Sequence, residues 1–117
     1  APDPVEELRL ANIKANAKVK ELCERFNVKT IHALVFRVSK DEPICIGYMR
    51  DPHRAVKLRI LDSSLQSAYT TCGNCLETYL IVEESDPRIL EDDAFYLGAA
   101  KCLLDTVETA GNMFKKN

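Results

Sequence analysis

Apolar residues recur along this chain with two different periods, and the change of period marks its elements. Leu8, Ala11, Ala15, Val19, Leu22 and Phe26 are spaced three and four apart, which is one narrow stripe on a helix of roughly six turns. Asp3-Pro4-Val5-Glu6 opens that helix, with Asp3 as cap, Pro4 in the first turn and Glu6 completing a capping-box-like pair. Residues 30–38 are rich in β-branched and aromatic types, and both alternating sets are apolar. His32, Leu34, Phe36 and Val38 point one way; Ile31, Ala33 and Val35 point the other. A polar turn, Ser39 to Pro43, leads to a second strand over 44–49, so the pattern predicts a β-hairpin.

The handover from strand to helix falls in Gly47-Tyr48-Met49-Arg50-Asp51-Pro52-His53-Arg54. Pro52 suits a first helical position, and Asp51 before it is expected to accept hydrogen bonds from free N–H groups of the first turn. Helical spacing then runs to about Asp62, restarts after a Ser63 or Ser64 cap, and continues through Leu76 to Leu80, with Gly73 on the outward face. The stretch 79–82 is readable as helix or as extended chain. After the acidic break Glu83 to Pro87, Asp92 or Asp93 caps a final helix carrying Phe95, Ala99, Cys102, Leu103, Val107, Ala110 and Phe114. That helix ends in Lys115-Lys116, as its dipole favours. The expected fold is therefore α+β, a single domain over 1–117. A long N-terminal helix (1–27) precedes a hairpin (about 30–38 and 44–49) and three further helices. Because a lone two-stranded ribbon is marginal, it must pack on helices or pair with another chain. Its second apolar face is the first place to expect a partner.

Charge narrows the function classes. A net charge of −2 gives no field for nucleic acid or an anionic membrane, so neither is expected as a partner. No apolar run approaches the length of a membrane span, and the N-terminus is unlike a signal peptide. Ala1-Pro2 reads as a cytoplasmic start after removal of an initiator Met. Five cysteines is an odd number. Cys23, Cys72 and Cys102 fall on apolar helix faces and Cys45 in a strand, which reads as structural thiols made in a reducing compartment.

Candidate chemistry is sparse. Cys72-Gly-Asn-Cys75 has redox or half-zinc spacing, but it sits mid-helix with no strand ahead of it, away from the helix terminus that would lower a thiol pKa. His32 and His53 are the only histidines, with Asp51 assigned to the cap. Asp86, Glu91, Asp92 and Asp93 lack the spacing and turn glycine of a calcium loop. There is no glycine-flanked nucleophile and no phosphate-binding glycine loop. Catalytic, metal and cofactor sites are thus all expected to be absent. The basic face of the first helix, together with Arg50, His53 and Arg54, reads as a solvated face or a patch for an acidic partner surface.

From about Ala33 onward the order of features resembles a family of small uncharacterised proteins of phages and prophages of gut bacteria, of the crAss-like type. The shared parts are Gly47-Tyr48-Met49-Arg50 closing the hairpin, Pro52-x-Arg54 opening a helix, and Asn74-Cys75-Leu76 near the end of the next. An acidic break, Ile89, Asp92-Asp93 and a lysine-ended closing helix follow. The resemblance spans about two-thirds of the chain, leaving the N-terminal helix as an addition. The Gly-Gly that such proteins often carry after the second helix is missing. The resemblance implies a non-enzymatic phage structural protein, made in the bacterial host cytoplasm and located in the virion. The leading expectation is an auxiliary or decorating protein that binds the major capsid protein, with self-association as a further expectation. The runner-up is a tail-assembly chaperone that holds an apolar segment of another phage protein; a C-x-x-C thiol oxidoreductase is placed last. Partner-binding residues are expected on the ribbon and the turn after it: Leu34, Phe36, Ile44, Ile46, Tyr48, Arg50 and Arg54.

Overall fold

The computed structural model describes the backbone from Asp3 to Lys115 and side chains from Asp3 to Ala110. The expectations placed on Ala1-Pro2, Phe114 and Lys115-Lys116 fall outside those described parts. The architecture is α+β, in the order α1 (Pro4–Phe26), β1 (Ile31–Phe36), β2 (Cys45–Arg50), α2 (Arg54–Asp62), α3 (Leu65–Tyr79), a 3-10 turn (Val82–Glu84), α4 (Arg88–Glu91) and α5 (Asp93–Lys115).

Asp3 starts α1 by accepting from the Val5 N–H at 3.0 Å, while Glu6 turns away to pair with Arg9 and closes no capping box. Asn27 ends the helix in the left-handed conformation (φ 55°, ψ 50°). The N–H groups of Asn27 and Val28 then reach back to Glu24 and Cys23, which satisfies the last carbonyls in a Schellman motif. This tight stop returns the chain antiparallel to α1 as β1, and β2 pairs antiparallel with β1 from Ile31↔Arg50 to Phe36↔Cys45.

The alternation read from the sequence divides the ribbon's side chains between two cores. Leu34, Cys45 and Met49 join α2, α3, α4 and α5 in the larger one, with Phe36 and Val38 packed against it. Ile31 and Tyr48 join Ala15 and Leu22 of α1 in the smaller, flanked by Val19, Phe26, Ala33, Val35 and Ile46. The second apolar face is therefore covered by the chain's own first helix, so the vacancy expected there for a partner is filled. Glycines permit two close approaches. A Cβ on Gly47 would lie 2.6 Å from Ile89 Cδ1, so the missing side chain makes room for the buried Ile89. Gly73, expected to face outward, is instead buried against Tyr96 of α5, because α3 packs on α5 through this point.

The stretch after α3 settles as extended chain: Leu80 bridges to Met49 and closes the outer edge of β2. The Ile81 N–H donates to Tyr48 O at 2.8 Å and the Asp86 N–H to Ile46 O at 3.1 Å. The Ser85 hydroxyl oxygen accepts from the Tyr48 N–H at 2.9 Å and lies 2.7 Å from Ile81 O, a hydroxyl standing where a third strand would be. Ser85→Ala leaves the Tyr48 N–H without this acceptor. It is expected to cost about 1–2 kcal/mol in urea unfolding, with the m-value unchanged.

Candidate interaction surface

The end of the ribbon nearest the α1–β1 turn gathers most of the polar chemistry. Arg50, the last residue of β2, holds its guanidinium 5.3 Å from the centre of the Phe26 ring, and Arg25 stacks on the same ring at the same distance. Beside them a groove of about 610 Å³ is lined by Val28, Lys29, Thr30, Arg50, Asp51, Thr78 and Tyr79. Asp51 does not cap α2. Its carboxylate lies 2.7 Å from His32 Nε2 across the ribbon and 3.1 Å from Lys57 Nζ. The residue before α2 is His53, which makes no side-chain cap bond, and Pro52 sits buried outside the helix. The carboxylate is drawn to two nitrogen partners instead of amide donors, a pairing between elements that spacing along one helix does not reveal.

Burial opposes ionisation of Asp51, but the hydrogen bonds from His32 and Lys57 outweigh it and hold its carboxyl below the ordinary value of 3.8. A depressed folded-state pKa contributes stability above the unfolded value, and that contribution disappears as pH falls through the folded one. Wild type should therefore melt above Asp51→Asn at neutral pH. The gap should close in thermal melts taken below the ordinary carboxylate range.

The same Arg25 donates to Glu84 of the 3-10 turn, which also lies 3.2 Å from Lys18 Nζ. These hydrogen bonds hold its carboxyl low and both cations high. The basic face of α1 is thus partly spent on the chain's own edge-closing segment.

The residues expected to bind a partner are separated by the fold. Leu34 is fully enclosed beneath α5, and Tyr48 is 6% exposed beneath α1. Phe36 and Ile46 are half-buried, Phe36 with its ring against Gly98 of α5 and Ile46 beside the smaller core; Ile44 is also half-buried. Arg50 and Arg54 stand exposed. Exposed apolar side chains lie elsewhere: on the first turns of α1, where Val5 is 75% exposed, Leu8 40%, Leu10 52% and Ile13 54%, and around the α2–α3 junction, at Leu58, Leu61 and Leu65. Leu10 and Ile13 fall outside the three-and-four spacing of the docked stripe; as a second apolar pair on the same helix they were readable from the sequence.

Cys72 and Cys75 are both buried between α3 and the larger core. Burial pushes the Cys72 thiol up to about 12 and raises Cys75 as well. A nucleophilic thiol needs the opposite environment. Among the described residues no three His, Cys, Asp or Glu side chains gather as a metal site, and no helix is long and apolar enough to cross a membrane. No family model, curated protein or solved structure matches the chain. Cys72→Ser places a hydroxyl in the apolar core and is expected to lower stability by about 1–3 kcal/mol in denaturant titration. An unchanged midpoint would show that the thiol is not enclosed as described.

Proposed function

We propose that the chain is a non-enzymatic phage structural protein, an auxiliary or decorating component of the virion that binds the major capsid protein. The phage assignment rests on the resemblance carried by Gly47 to Arg50, Pro52-x-Arg54 and Asp92-Asp93. The observation that carries a binding role is the apolar start of α1. Single exposed apolar residues are ordinary on any surface. Leu10 and Ile13 instead stand about 60° apart on the face of α1 opposite the stripe that docks on the ribbon, where they make one exposed apolar pair. On a particle with many equivalent positions, a weak contact of this kind is multiplied by avidity. Tyr48 and Leu34 then serve to hold the ribbon rigid, and the contact falls to α1.

Mass spectrometry of purified particles tests this reading. The expected result is the chain at a fixed, high ratio to the major capsid protein. The pair Leu10→Glu and Ile13→Glu should be lost from particles while the melting temperature stays at the wild-type value. Absence of the wild-type chain from particles overturns the virion role in favour of the tail-assembly chaperone, whose client would use the same apolar turns transiently.

A further inference from the structure

The two edges of the ribbon are treated differently. On β2 the backbone groups of Ile46 and Tyr48 point away from β1, since they bond to Asp86, Ile81 and Ser85. In an antiparallel ladder, residues directly opposite each other share their orientation. Val35 faces Ile46 and Ala33 faces Tyr48, so the N–H and C=O groups of Ala33 and Val35 point out from the free edge of β1. Among the described residues no backbone group bonds to them, and the one side-chain contact is Cys102 Sγ, 4.0 Å from Val35 O. Both residues are part-exposed. β1 carries no Lys, Asp, Glu or Pro, the residues that normally blunt an edge. At its end the edge opens on an apolar groove of about 400 Å³ lined by Pro4, Val5, Leu8, Val35, Phe36 and Arg37.

We propose that this edge is a strand-capture site, taking an extended segment of a partner protein as a third strand between the α1 layer and the α5 layer. Backbone groups at Ala33 and Val35 supply the hydrogen bonds, and alternate apolar side chains of the segment enter the groove beside Val5 and Leu8. The occupant is a single segment and not a second copy. α5 passes over β1, with Cys102 at Val35 and Gly98 on the Phe36 ring. Pairing two β1 edges sets them about 4.8 Å apart, whereas the two α5 helices above them need about 8–10 Å. A lone strand brings no helix into that layer. The site rests on the protein-binding reading above and specifies the form its partner takes.

The test uses the full chain, labelled with 15N, and a lysine-flanked peptide of alternating Thr and Val. The control is the same peptide N-methylated at every amide. Hydrogen exchange at the Ala33 and Val35 amides is expected to be fast in the free protein and slowed at least about tenfold with the first peptide, and unchanged with the N-methylated one. Ala33→Pro removes an N–H that the hairpin ladder does not use and should abolish the protection. Wild-type exchange decides the matter by itself if that variant does not fold. Fast exchange at saturating peptide overturns the proposal, as does equal protection by the N-methylated peptide. Protection without peptide in a protein that sediments as a dimer overturns it in favour of a second copy. Incorporation into particles is read separately, so a chain present at fixed ratio but blind to the peptide loses this site and keeps its proposed virion role.

Discussion

A two-stranded ribbon with apolar side chains on both faces cannot stand in water, and the rest of this structure follows from covering it. Two strands bury too little to hold themselves together, and each face left open would expose a row of large side chains. α1 covers the face of Ile31 and Tyr48, and α3 with α5 covers that of Leu34 and Met49. The order of the chain makes the first cover local. The Asn27 stop is followed within a few residues by β1, so helix and strand lie antiparallel with little chain between them. The second cover is distant in sequence and needs the whole helical half to assemble first. Loss of α1 would therefore uncover one face and leave the larger core standing on the other.

Much of this was legible because the signals were periodic. The stripe from Leu8 to Phe26 gave α1, and alternation gave a ribbon with two apolar faces, though the face kept for a partner is the one that α1 covers. Two helix starts were placed to within one residue, at Ser63 or Ser64 and at Asp92 or Asp93, and the structure uses Ser64 and Asp92, through the Ser67 and Ala94 amides. The misreadings share one cause, which is that a partner from another element outcompeted a local one. Asp51 stands where a cap would, yet its carboxylate meets His32 from the opposite strand and Lys57 from the helix. Gly73 has the spacing of an outward residue, yet Tyr96 comes down on it from α5. Leu34 and Tyr48 looked available because ribbon faces are anonymous until the covering helices are placed. The closing of the β2 edge by Ser85 had no readable signal, since one serine in an acidic break promises nothing about a strand dozens of residues earlier.

The motif that carries the resemblance has a structural account that needs no ligand. Gly47 yields its Cβ space to Ile89, Tyr48 fills the core beneath α1, Met49 is fully enclosed on the other side, and Arg50 stacks on Phe26 at the rim. Four consecutive residues thus serve four different contacts. Packing accounts for each residue of the motif, so the motif is no argument for chemistry. The buried thiols point in the same direction, because Cys45 and Cys72 fill the core and are held protonated by it. What a partner can reach is the complement of this set: the outer turns of α1, the rim at Arg50, and the open edge.

That edge is the part of the design with a cost. A strand without charge or proline at a sheet margin pairs with any extended chain, including other copies in a crowded cell. The chain avoids that outcome on β2 by spending residues 80–86 on it, so its folding can close an edge where closure is needed. On β1 the protection is steric. α5 lies over the margin and bars a neighbour that carries its own helices, while a bare strand still has room. Protection that discriminates by thickness is weaker against unfolded chains than a lysine or a proline would be. A charge placed on β1 would be the simpler safeguard, but Ala33 and Val35 pack beside the α1 core, so a lysine at either would have to run its stem past α1 to reach water. The edge stays open because Ala33 and Val35, whose backbone groups form it, turn their side chains to the α1 cover that makes the ribbon stable.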